Sequence, residues 1–106
     1  MNKRQFLLLK LAEECAEVAQ RASKQIQFGA YEVQDTTSHT SQYTNAERTK
    51  QELIDLMCVW KMLVQAGEIP EFTEWELDEA YDNKKIKLQK YLDYSFMLGT
   101  MPEIKL

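Results

Sequence analysis

Histidine is almost missing from this 106-residue chain: there is one, His39. Its position in a polar stretch leaves no basis for a nitrogen-rich metal site, and no Glu-x-x-His pair exists of the kind that a di-iron carboxylate bundle places on two of its helices. Cysteine is scarce too. The two present, Cys15 and Cys58, fall inside apolar helical patterns, where a free thiol acts as a small hydrophobe; they make no disulfide framework and fit a reducing cytoplasm. No long hydrophobic run occurs. The strongest, Phe6 to Leu9, is broken by Lys10 and followed by acidic residues, which argues against a signal peptide or a membrane span. Excess positive charge is also absent. A net charge of -4 repels phosphates, so a nucleic-acid polymer is not the expected partner.

Hydrophobic residues make up 44% of the chain and charged residues 28%, the balance of a globular protein rather than a disordered one. Its length fits a single domain over residues 1–106. A domain of that size buries only a modest share of its unfolded surface, which favours self-association.

With three glycines and two prolines, the few helix breakers divide the chain into three helical stretches. The first runs from about Lys3 to Gln27, with Asn2 as cap and Gly29 past its end. Leu8, Leu11, Cys15, Val18, Ala22 and Ile26 follow three-and-four spacing along one stripe, the expected core face. From Gly29 to Tyr43 the chain turns polar, and a long loop is predicted. The second helix starts at Thr44, where Glu47 completes a capping box, and stops near Gly67 and Pro70. Its apolar residues, from Leu53 to Val64, cover most of the circumference, so it needs cover on several sides. That implies a dimer-based, four-helix-bundle-like core. A third helix follows Thr73, with a box to Glu76, and runs to about Tyr94 with Leu77, Ala80, Tyr81, Leu88, Tyr91 and Leu92 inward. The fold class is all-α.

Glu13, Glu14 and Glu17 share about 100 degrees of arc on the first helix. Glu52 and Asp55 stand one turn apart on the second, on an arc shared with Val59 and Leu63. Antiparallel packing of consecutive helices brings up to five carboxylates together. Carboxylates in low dielectric need protonation, a basic partner or a cation. All-oxygen donors suit a hard divalent ion such as magnesium. Lys24 and the third-helix lysines, chiefly Lys84 and Lys87, are candidates for holding phosphate at the far end of such a site. Phe28 is a candidate for stacking on a base. Taken singly, acidic runs and helix lysines are most often solvated faces; the two acidic clusters together point to a metal.

The stretch from Leu11 to Lys24, containing Glu13-Glu14-x-x-Glu17, followed by Asn45 and then Glu52-x-x-Asp55, resembles the MazG-like family of all-α nucleoside triphosphate pyrophosphohydrolases. The segment Lys84 to Tyr94 is similar to the basic, tyrosine-ending segment of phage and mobile-element members, so the resemblance spans nearly the whole chain. Its longer gap between Glu17 and Glu52 departs from the family's usual spacing and leaves the loop's part in substrate choice open. The resemblance implies magnesium-dependent hydrolysis of a nucleoside or deoxynucleoside triphosphate to monophosphate and pyrophosphate, by a homodimer or tetramer, in nucleotide-pool housecleaning; manganese would substitute. It assigns Glu14, Glu17, Glu52 and Asp55 as metal ligands and Glu13 as a further ligand or the residue orienting water, all within the catalytic set. Lys24, Asn45, Lys84 and Lys87 would contact phosphate or sugar. A dUTPase-like or phosphoribosyl-ATP pyrophosphohydrolase-like member would keep the acidic pattern. A non-catalytic helical binding module would use the acidic face without turnover.

Overall fold

The computed structural model describes residues 1–33 and 43–106, so most of the polar loop, His39 included, lies outside the described residues. Three helices follow in order, α1 (Lys3–Phe28), α2 (Asn45–Gln65) and α3 (Glu74–Leu98), and no strand occurs among the described residues. Each helix opens on a reciprocal capping box. Asn2 and Gln5 exchange two bonds of 2.9 Å, Thr44 and Glu47 two of 3.1 Å, and Thr73 and Glu76 two of 3.1 Å. Each satisfies two backbone N–H donors that would otherwise be orphaned at a helix start, and the loss of such a cap costs about 1 kcal/mol. α3 runs four residues beyond the expected Tyr94, because nothing in Ser95 to Leu98 disfavours helix; it stops at Gly99, whose φ of 78° is a left-handed conformation that other residues rarely adopt.

The chain divides into two compact units, Met1–Pro70 and Glu71–Leu106. In the first, α1 and α2 form an antiparallel hairpin. Backbone bonds from Asn45 N to Glu32 O and from Ala46 N to Ala30 O, both 3.0 Å, tie the end of α1 to the start of α2. An ion pair of 2.7 Å between Arg4 and Glu68 ties the opposite ends.

The packed face of α1 differs from the expected stripe. Leu7, Leu11, Glu14, Val18, Arg21 and Gln25 are drawn fully or partly inside at alternating four-three spacing, and Lys10 is half-buried beside them. Leu8, Cys15, Ala22 and Ile26 are exposed, Ile26 to 88%. α1 carries two interleaved apolar stripes, and α2 covers the one that includes Glu14 and Arg21. On α2 the matching face is Asn45, Thr49, Glu52, Leu56, Val59 and Leu63. Among the described residues Leu7 and Leu63 form the buried apolar core, Leu63 fully, and Asn45 is the buried polar residue. The hairpin is therefore apolar at the Leu7 and Leu63 end and polar from Glu14 and Glu52 onward. Leu53, Ile54, Met57 and Met62 remain exposed on the other sides of α2.

In the second unit α3 has no fully buried residue. Of the positions expected inward, Leu77, Ala80, Tyr81, Leu88 and Tyr91 are exposed and Leu92 is half-buried. The cover within this unit comes from the returning tail. Gln89 donates to Ile104 O and accepts from Leu106 N, both at 2.9 Å, clipping the extended backbone of the tail to the helix. Within this unit that clip covers one flank of α3. Both cysteines are free and exposed rather than packed. Among the described residues, no helix is long and apolar enough to cross a membrane.

Candidate functional site

The polar half of the hairpin is where the acidic residues meet. Glu14 and Glu17 of α1 and Glu52 of α2 each place one carboxylate oxygen within 4.8 Å of the other two. Three negative groups at that spacing repel strongly unless something intervenes. Glu14 Oε2 and Glu52 Oε2 are buried and have no hydrogen-bond partner. Burial, together with the charges of Glu17, Asp55 and Glu13, raises the Glu14 pKa above the ordinary 4.5. Burial raises Glu52 as well, joined by hydrogen bonding to Glu17 and by the charges of Glu17, Asp55 and Glu14. Oxygens shut off from water, unpartnered and converging, are the arrangement that a hard divalent cation satisfies.

The five acidic residues read from sequence separate into two groups. Glu14, Glu17 and Glu52 converge. Glu13 and Asp55 are exposed and stand outside that trio, although the charge of each is felt at Glu14. Glu13 accepts a 2.8 Å bond from Lys10 Nζ, and this pairing raises the lysine's pKa. Lys10 also lies 5.4 Å from the centroid of the Phe6 ring.

Beside the carboxylates runs a polar seam. Arg21, one turn past Glu17 on α1, is half-buried, and its Nη2 donates to Asn45 Oδ1 at 3.2 Å while its Nε is buried without a partner. Asn45 is fully buried, and its Nδ2 donates to the Gly29 carbonyl at 2.9 Å. Thr49 donates to Gln25 Oε1 at 2.9 Å and to the Asn45 carbonyl at 3.0 Å. Asn45, for which the resemblance implies a phosphate or sugar contact, has its amide engaged inside the hairpin, with Arg21 and with the end of α1.

Arg21 was not among the candidates that sequence reading singled out. Its signal was there, since it follows Glu14 by seven residues and Glu17 by four and so shares their side of α1. Lys24 and Phe28, which were singled out, are exposed near the end of α1. Lys84 and Lys87 are exposed on α3. Lys84 lines a cavity of about 320 Å³ with Tyr81, Lys85, Leu88 and Leu106, inside the second unit.

No protein-family model, no curated protein and no solved structure matches this chain.

Proposed function

We propose that this chain is a MazG-like, magnesium-dependent nucleoside triphosphate pyrophosphohydrolase that works in the cytoplasm as a homodimer or tetramer. One observation carries the reading: Glu14, Glu17 and Glu52 converge from two helices, with buried carboxylate oxygens on Glu14 and Glu52 that have no partner. A merely solvated acidic face would keep those oxygens in water, where they cost nothing.

Glu14, Glu17 and Glu52 would hold the cation, with Asp55 one turn from Glu52 completing the set. When bound, magnesium supplies charge neutralisation of the triphosphate and acidifies a coordinated water. The remaining chemistry belongs to the chain. A carboxylate not engaged with the ion, Glu13, orients the attacking water toward the α-phosphorus. The new oxygen–phosphorus bond replaces the one to the oxygen bridging the α and β positions, so nucleoside monophosphate and pyrophosphate leave. Arg21 has an unused, half-buried guanidinium edge that offers a charge-assisted bond to a phosphate oxygen. Asn45 holds Arg21 from behind and so acts as a positioning residue. Lys24, Lys84 and Lys87 serve the rest of the phosphate chain, and Phe28 offers a face for the base.

The test is a panel of ribo- and deoxyribonucleoside triphosphates incubated with and without magnesium, with monophosphate and pyrophosphate quantified apart from orthophosphate. Pyrophosphate release that requires magnesium and falls at least about 10³-fold in Glu52→Gln is the expected result. Turnover that persists in Glu52→Gln, or no turnover of any nucleotide, would overturn it; the latter would favour a helical module that binds without reacting.

A further inference from the structure

Glu17 and Arg21 stand four apart on α1 with the glutamate first, the order and spacing that favour an ion pair on a helix. A helical side chain also leans toward the N-terminus of its own helix, and for Arg21 that is toward Glu17 and the carboxylates around it. Yet among the described residues no ion pair joins Arg21 to a carboxylate. Arg21 Nη2 donates instead to the uncharged Oδ1 of Asn45 at 3.2 Å, and its Nε is buried with no partner.

Asn45 draws the guanidinium the other way. Its Nδ2 donates to the Gly29 carbonyl at 2.9 Å. Gly29 follows Arg21 by eight residues, about 12 Å farther along the helix axis, whereas Glu17 lies about 6 Å before it. Asn45 is fully buried, so packing and the bond to Gly29 fix the acceptor in place. Its carbonyl holds the arginine without adding a negative charge to the seam.

The alternative arrangement would close the site. A guanidinium paired with Glu17 or Glu52 would satisfy carboxylates that converge from the two helices, and an entering cation would have to displace it, leaving a buried charge unpaired. As the chain folds, burial and neighbouring carboxylates raise Glu14 and Glu52, the direction of acids with no cation beside them.

We propose that Asn45 holds the Arg21 guanidinium away from Glu17 and Glu52 and so keeps the three converging carboxylates open to a divalent cation. This rests on the cation-site reading above and adds to it a positioning residue that sets affinity for the ion without touching it.

The test is a double-mutant cycle on the whole chain, with Asn45→Ala, Arg21→Gln and the two combined. The readout is the dissociation constant of manganese without nucleotide, from the free ion counted by electron paramagnetic resonance. Loss of the arginine's charge tightens binding wherever that side chain lies, and the cycle isolates the part that depends on Asn45. Asn45→Ala should bind manganese at least about tenfold more weakly than the parent, and Arg21→Gln should tighten binding at least about tenfold more in that background than in the parent. A hairpin that is merely loosened would weaken the ion equally with and without Arg21. Unchanged affinity in Asn45→Ala, or effects that simply add, would overturn the proposal while leaving the cation site standing. A parent that binds no manganese at millimolar concentration would overturn both. Should Asn45→Ala fail to fold, the metal-free parent answers by nuclear magnetic resonance: the Arg21 guanidinium should show nuclear Overhauser contacts to the Asn45 side-chain amide. Absence of those contacts, or contacts to the Glu17 methylenes in their place, would refute it.

Discussion

Removing the Asn45 side chain tests how the hairpin holds its acidic residues in place. Asn45 is 0% exposed and bridges the two helices, accepting from Arg21 at 3.2 Å and donating to the Gly29 carbonyl at 2.9 Å. In Asn45→Ala both bonds vanish. The bond to the guanidinium contributes about 1.5 to 3 kcal/mol and the bond to the neutral carbonyl about 1 kcal/mol, with partial solvent rescue because Gly29 is at the surface. The expected loss is about 3 kcal/mol. At about 2.1 cal/mol/K of unfolding entropy per residue, a chain of 106 residues converts that to a fall in Tm of roughly 13 °C. Asn45→Asp keeps the acceptor for Arg21, now charged, and loses only the donor to Gly29, so its fall should be less than half as large. Thermal unfolding by circular dichroism without metal reads both. A fall of less than about 3 °C in Asn45→Ala, or an aspartate variant as damaged as the alanine, would refute the assigned role.

Further outcomes follow from the same geometry. Glu14 and Glu52 bind protons more readily folded than unfolded, since burial and neighbouring carboxylates raise both above the ordinary 4.5. Between the unfolded and the raised folded values the native state holds the extra proton, so stability without metal falls as pH rises through that window and is regained on acidification. Glu47 is shifted the other way by its bonds to Thr44, and its contribution is lost only below 4.5, outside the window. Melting of the metal-free protein, followed as the pH is lowered from neutral toward 4.5, should therefore show a rising Tm; a monotonic fall would contradict the crowded-carboxylate description. Leu63→Ala empties the centre of the apolar end and should cost about 2 to 5 kcal/mol in urea unfolding, against under 1 kcal/mol for a partly exposed position such as Met62→Ala; equal costs would show that the core lies elsewhere.

The helix starts were readable from short-range chemistry, because a capping box needs only two residues three apart. Thr44 with Glu47 and Thr73 with Glu76 form the bonds that their spacing predicts. The end of α3 was less legible, since Ser95 to Leu98 carry no breaker and only Gly99 stops them. Which stripe of α1 packs was not legible at all. Leu8, Cys15, Ala22 and Ile26 are as good a helical stripe as Leu7, Leu11 and Val18, and periodicity cannot choose between two apolar faces when one of them contains Glu14, Arg21 and Gln25. The choice is made by the partner: Asn45, Thr49 and Glu52 on α2 supply polar matches for Arg21 and Gln25, and Leu63 matches Leu7. The same pairing explains why Glu14, Glu17 and Glu52 were found from their pattern while Arg21 was passed over for Lys24. Burial of an arginine depends on an asparagine 24 residues away, which no local spacing encodes. The inward face expected of α3 misled for a related reason: Leu77, Tyr81, Leu88 and Tyr91 have helical spacing, but the clip at Gln89 covers only a neighbouring flank.

The most direct test of the cation site is the melting temperature of the whole chain across magnesium concentrations, beside Glu52→Gln. A ligand at about 100 times its Kd stabilises the native state by about 2.7 kcal/mol, which here amounts to a rise of roughly 12 °C. The parent should start low and climb with magnesium, and Glu52→Gln should start higher, relieved of one crowded charge, and respond weakly. A flat parent curve from micromolar to about 20 mM, with Glu52→Gln melting at the same temperature as the parent throughout, would contradict the account.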